Sequence, residues 1–171
     1  PRAWKGVKSL SASFRIERDD VQGGTVGVWG FTGLTPEEGF LTGPQQDLVA
    51  GRWLRSGEED VCLLPVGLAD SLGISAELLD GARVRIFGEI FRVVGLLEDD
   101  ALDRPDLSGE PLTPLDPEAQ QPPEQEAVGG RGGQVLPFTH LPAASVVVLP
   151  FAGLMRWEGA YLSSVAIGFA A

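Results

Sequence analysis

Two acidic clusters, Glu58-Glu59-Asp60 and Glu98-Asp99-Asp100, hold the residue types that an acid–base hydrolase uses. That chemistry needs one protonated and one ionised carboxyl facing a shared substrate. Sequence neighbours point to opposite faces of a strand or stand in a turn, so neither cluster forms such a pair alone. No spacing brings the two clusters together, and neither has the ligand spacing of an EF-hand calcium loop. Solvated turn charges are the expectation.

His140 is the single histidine, set between Phe138 and Leu141 in a proline-rich stretch. A catalytic histidine needs an orienting carboxylate and a nucleophile. Sequence places neither beside it, and there is no G-x-S-x-G motif, so a surface histidine is expected. One histidine also rules out most histidine-based metal sites. Cys62, the only cysteine, has no internal disulfide partner and belongs to no zinc cluster. Its neighbours Val61, Leu63 and Leu64 make it a buried thiol. This leaves the redox compartment open. Walker A is absent, and neither Gly27-Val28-Trp29-Gly30 nor the glycine run at 129–133 leads into a helix start that would hold phosphate. The expectation is therefore no catalytic residue, no bound cofactor and no metal ligand. Trp29, Phe31, Phe40, Trp53 and Trp157 would suit a groove for sugar or peptide, and core packing accounts for them equally well.

The elements that must position these residues are strands. With 23 glycines and 13 prolines in 171 residues, the chain favours turns over long helices. Its apolar share of 43%, including 8 Phe and 4 Trp, is enough for a real core. Thirteen basic against 24 acidic residues give a formal charge of −11. Such a surface disfavours nucleic acid and offers no basic patch to anionic lipid. The longest apolar run, 143–155, is too short to cross a bilayer and is broken by Pro150. The chain begins at Pro1 without a methionine and ends inside a strand-like pattern, as an excised domain would.

Residues 10–17 alternate, with Leu10, Ala12, Phe14 and Ile16 on one face, which predicts a half-buried strand. A turn at Asp19-Asp20 and Gly23-Gly24 leads to a second strand over 25–31. Thr35-Pro36-Glu37-Glu38 carries a capping box with proline at the first helical position, but Gly39 limits it to one turn. Residues 61–64 form a short apolar strand. Pro65 opens a helix that stops at Gly73, and Ser75 caps a second short turn closed by Gly81. A hairpin follows over 82–97, with Val84 and Ile86 opposing Phe91 and Val93, and with Gly88-Glu89 as a type II′ turn. Residues 99–142 hold eight prolines and few large apolar side chains. They predict a flexible Pro/Gly-rich insert. Strands at 145–149 and 163–169 complete a single domain built from 1–98 and 143–171. The fold class is α+β and β-rich: antiparallel strands, one or two short helices and the long insert.

From 48 to 99 the elements come in a set order: Gly51-Arg52-Trp53-Leu54, the acidic turn at 58–60, the strand over 61–64 and Leu68-Ala69-Asp70-Ser71-Leu72-Gly73. Leu79-Asp80-Gly81 and Phe91-Arg92-Val93-Val94-Gly95-Leu96 follow, with Val146-Val147-Val148-Leu149-Pro150 as a strand and proline downstream. This succession resembles the extracytoplasmic core domain of MacB/FtsX-type ABC-transporter permeases, which include lipoprotein-release and macrolide-efflux subunits. The insert is longer and richer in proline than is usual in that family.

The resemblance implies a domain on the periplasmic or extracellular side of the cell membrane, within a four-span subunit. Its partners would be a cytoplasmic ATPase, a second permease copy, and an exported substrate or periplasmic protein. It implies no catalytic residues and a relay of ATPase-driven motion. Two rivals stand beside this reading. One is a free-standing secreted or periplasmic binding module that uses the aromatic residues. The other is an acidic hydrolase built on Glu58, Asp60 or Asp99.

Overall fold

The computed structural model describes residues 2–19, 24–119 and 139–167. Their strands are β1 (Arg2–Arg18), β2 (Thr25–Leu34), β3 (Leu48–Gly51), β4 (Val61–Pro65), β5 (Arg83–Ile86), β6 (Glu89–Leu97), β7 (Val146–Pro150) and β8 (Tyr161–Ile167). Three short helices are α1 (Glu38–Leu41), α2 (Val66–Ser71) and α3 (Phe151–Met155). No helix among the described residues is long and apolar enough to cross a membrane.

Six strands close on themselves. The order β1-β2-β7-β4-β6-β5 returns to β1, because the far half of β1 pairs with both β2 and β5. Closure removes the free edges that an open sheet would leave. Outside the ring, β8 lies against the first half of β1, from Arg2↔Ile167 to Val7↔Tyr161, and β3 lies on β6. The fold is α+β and β-rich as expected; most pairs are antiparallel, and two, β2 with β7 and β4 with β6, run parallel, so the sheet is mixed.

Those parallel pairs explain the unbroken apolar runs. A strand covered on both faces needs apolar side chains at every position. In β4, Cys62 and Leu64 enter the barrel while Val61 and Leu63 face an outer cluster. In β7, Val147 and Leu149 point inward and Val146 and Val148 outward. Both hairpin arms share the barrel core with Ile16: Val84, Ile86, Phe91 and Val93 pack in the same cluster, with Phe14 against it.

The outer cluster takes in part of the segment expected as an insert. Ala101, Leu102, Leu112, Leu141 and Ala143 are buried there with Leu34, Trp53 and Leu54. Burying a leucine contributes about 1.5–3 kcal/mol, so a few anchors hold a proline-rich strand of backbone in place. The buried residues of 101–114 and 141–143 thus anchor on the body, and the glycine run at 129–133 lies outside the described residues.

Other boundaries also moved. β1 starts at Arg2, well before the alternating stretch. The helix expected at Thr35 begins at Glu38, because the Thr35 hydroxyl accepts the Trp4 amide (3.4 Å) instead of capping. The hairpin turns at Phe87-Gly88, not Gly88-Glu89. Ile86 pairs with Glu89, and both turn residues have positive φ, 50° and 86°. This is the twist a type I′ turn requires. A left-handed Phe87 costs about 1–2 kcal/mol. Its ring meets Phe14, Phe31 and Trp157 at centroid distances of 5.0–5.5 Å. Each such contact contributes about 0.5–1.5 kcal/mol, which offsets the strain.

Candidate functional site

The acidic clusters do not assemble an acid–base pair. Glu58 accepts two hydrogen bonds from the Arg52 guanidinium (2.9 and 2.5 Å) and one from the Arg55 amide (3.1 Å). The Arg52 hydrogen bond holds the Glu58 carboxyl below its ordinary value, the wrong direction for a general acid. Arg156 donates to Glu59 (2.8 Å), Asp60 (3.1 Å) and Glu89 (3.3 Å), tying the acidic turn to the hairpin tip and the end of α3. Asp99 stands apart from that turn and accepts the Gly67 amide at the start of α2 (2.9 Å). Cys62 is fully buried, and burial pushes its thiol up, away from reactivity.

The glycines of the family-like motifs serve a crossing of strands. Gly51 has φ 77°, and a Cβ there would overlap the Val94 carbonyl. A Cβ on Gly95 would sit 2.6 Å from the Arg52 carbonyl. The two glycines let β3 lie directly on β6, with Arg52 N donating to Val94 O (2.9 Å).

Of the five aromatic residues, Phe31 and Trp157 pack edge to face with centroids 5.2 Å apart, and the others lie apart. Phe31 and Trp53 are core, and the Trp53 indole donates to Pro36 O (3.1 Å). Trp29 and Phe40 are exposed. No common groove gathers the five.

One concave site is built from residues that gave no local signal. The segment 112–116 runs beside 139–141, through Asp116 N to Thr139 O (2.7 Å) and Leu141 N to Pro114 O (2.8 Å). This places His140 against the body, its side chain only 13% exposed, so the expectation of a surface histidine is corrected. Its Nδ1 lies 2.8 Å from Thr113 O and its Nε2 2.7 Å from Glu110 Oε2. Both neighbours are oxygen atoms, and the two contacts fix the plane of the ring.

Nearby, a tight loop from Pro105 to Pro111 presents Asp106. Its Oδ1 accepts the Ser108 amide (2.8 Å) and the Ser108 hydroxyl (2.5 Å), while Oδ2 pairs with Lys5 Nζ (2.9 Å). Lys5 also donates to Pro111 O (3.3 Å). Burial alone would raise Asp106, but the hydrogen bonds from Ser108 and Lys5 outweigh it and bring the carboxyl down to about 2. On the β8 side the register slips by one residue between Lys5 and Gly6, and the Ser163 hydroxyl donates to Lys5 O (3.1 Å). Such bulges re-aim side chains.

The resulting cleft has a volume of about 450 Å³, within the range of small-ligand sites, about 300–1,000 Å³. Its one hydroxyl–carboxylate contact, Ser108 on Asp106, involves a carboxylate already paired with Lys5. Among the described residues no group of His, Cys, Asp and Glu is arranged to hold a metal ion.

No family model and no curated protein matches the chain. Solved structures do. The periplasmic region of MacB from Actinobacillus actinomycetemcomitans superposes with a TM-score of 0.51 at 10% identity, covering 93% of this chain and 54% of that one. A domain of a putative permease protein from Porphyromonas gingivalis gives 0.43 at 16% identity, covering 94% and 59%. The chain therefore has the fold of part of the MacB periplasmic region and spans between half and three fifths of the length of these two solved chains.

Proposed function

We propose that this chain is a non-catalytic extracytoplasmic domain of a MacB/FtsX-type ABC-transporter permease, held on the outer side of the cell membrane. In this reading it contacts an exported substrate or a periplasmic partner and passes on motion driven by a cytoplasmic ATPase, next to a second permease copy. The supporting observation is a coincidence of two independent signals. The fold matches over 93% of the chain at 10% identity, and two glycines of the motif succession, Gly51 and Gly95, pair at the β3–β6 crossing of this chain. The engagement of Glu58, Glu59, Asp60 and Asp99 by arginines and a backbone amide supports a role without catalysis. A net charge of −11 argues against nucleic acid.

The test is to tag the parent gene product, fractionate cells, and digest intact spheroplasts with external protease. Membrane association, cleavage from outside and co-purification of an ATPase are expected. Recovery of the chain as a free soluble protein would overturn the reading. It would favour the alternative, a secreted or periplasmic binding module, which the cleft beside His140 would equally serve.

A further inference from the structure

A net charge of −11 conceals one face of the opposite sign. Directly paired residues of neighbouring strands share a face of the sheet. The register therefore gathers Arg15 and Glu17 of β1, Arg83 and Arg85 of β5, and Ile90 and Arg92 of β6 on the outside of the ring. Glu17 stands opposite Arg85, Arg85 opposite Ile90, and Arg83 opposite Arg92. Four arginines share this face with one glutamate. Composition hides the patch, because β1 lies far from β5 and β6 along the chain. Like charges directly opposite each other destabilise a sheet, so the Arg83–Arg92 placement works against the fold. Glu17 (3.2 Å) and Asp19 engage Arg85. The Arg92 side chain is 58% exposed and reaches Glu58 only at 3.7 Å, and Glu58 already accepts two hydrogen bonds from Arg52. Arg15 is exposed and has no ion-pair partner among the described residues. Ile90, large and apolar, is 43% exposed on the same face. Two hollows open there, one of about 300 Å³ lined by Arg15 and Arg85, the other of about 390 Å³ lined by Arg52, Asp80 and Arg92.

We propose that this face docks a short, extended acidic segment of a partner protein, with carboxylates on the arginines and an apolar side chain on Ile90. The planar guanidinium fork takes a carboxylate through two hydrogen bonds. Arg83 and Arg85 are two residues apart on one strand, about 7 Å, which is also the spacing of alternate side chains in an extended peptide. Charge selects the size of the partner segment. At physiological salt a surface charge is felt over about 8 Å. A short segment therefore meets the arginines alone, whereas a nucleic acid or a bilayer extends past them to the acidic remainder of the surface. Bound carboxylates also relieve the repulsion between Arg83 and Arg92, so docking stabilises the fold. The inference stands on this face alone. It goes beyond the transporter reading, and it would survive a finding that the chain is not membrane-held.

The probe is the peptide Glu-Val-Glu-Val-Glu carrying an uncharged dye, titrated with the whole chain and followed by fluorescence anisotropy at about 50 mM and about 150 mM salt. Lys-Val-Lys-Val-Lys, phosphatidylglycerol vesicles and an oligothymidylate serve as comparators. Saturable binding of the acidic peptide is expected, weaker at the higher salt, with a rise in melting temperature and at least tenfold weaker binding of each comparator. Arg92→Gln should weaken the peptide at least threefold without lowering the melting temperature of the free chain, since it removes a like charge opposite Arg83. A merely structural arginine would lower it. Should that variant fail to fold, Arg15→Gln is expected to give the same loss of affinity in a folded protein. Arg104→Gln, whose arginine pairs with Asp47 away from this face, should leave affinity within twofold. No saturable binding, equal or tighter binding of any comparator, unchanged affinity in Arg92→Gln and Arg15→Gln, or an equal loss in Arg104→Gln would overturn the proposal. Tighter binding of the vesicles or of the oligothymidylate would assign the face to a membrane or to nucleic acid instead.

Discussion

The barrel interior and the His140 wall are held by different physics. Inside the barrel Ile16, Val28, Phe31, Phe91 and Leu149 pack with one another, and shape and volume decide the fit. At the wall Lys5, Asp106, Glu110 and His140 are fixed by charge and hydrogen bonds, and the only apolar contribution is the cleft surface itself. The first kind of contact ignores pH and punishes lost volume. The second tolerates volume change and punishes lost partners. The two regions can therefore be perturbed separately, as a rigid scaffold carrying a specific site requires.

The sharpest way to break the interior is Phe91→Ala, which leaves a cavity among closely packed rings; a loss of about 4 kcal/mol is expected in chemical denaturation. Gly51→Ala should cost about 3 kcal/mol, combining left-handed backbone strain with overlap on the Val94 carbonyl. At the wall, Lys5→Met leaves Asp106 charged and buried and should also cost about 3 kcal/mol, while Lys5→Met with Asp106→Leu should recover most of it. That recovery would mark the wall as electrostatic; a double variant as unstable as the single would place it with the interior.

Acid sharpens the contrast further. Asp106 is depressed from 3.8 to about 2 in the fold. Its contribution is present in full above about pH 4 and is lost as pH falls toward 2. Glu38 acts in the opposite sense. Burial raises its value, so ionising it as pH climbs through the folded value costs stability. Denaturation midpoints between pH 5 and 2 should fall in the native chain and in Phe91→Ala alike, and fall less in Lys5→Met. The smallest effect expected is at the acidic turn, where Glu58→Gln weakens a part-exposed pair with Arg52 by about 1 kcal/mol.

What could be read in the sequence was local. The 82–97 hairpin, the apolar strand at 61–64 and the helix ended by Gly73 each carry their pattern within sixteen residues or fewer, although the hairpin's turn sits one residue earlier than its glycine suggests. The first half of β1 could not be read, because a buried Lys5 breaks its alternation and the ion pair that permits burial comes from Asp106, 101 residues away. α3 was hidden because Pro150-Phe151 follows the apolar run of β7 with no polar break. Proline content concealed the anchoring of 99–119, since two leucines, 102 and 112, do the work that composition averages away. The site was least visible of all. His140 meets Glu110 and Thr113 only because 112–116 doubles back on 139–141.

The pairing of Arg2 with Ile167 has a mechanical meaning. β1 and β8 are antiparallel neighbours, so the two described ends emerge side by side at one end of the ladder. Forces that pull them apart would open that ladder one residue pair at a time, beginning at Arg2 and working toward the cleft at Tyr161. A pull on both ends together would instead load β1 lengthwise against β2 and β5, where many backbone bonds resist at once. The same strand pair is thus compliant to separation and stiff to traction, and the cleft lies where the compliant seam meets the stiff ring.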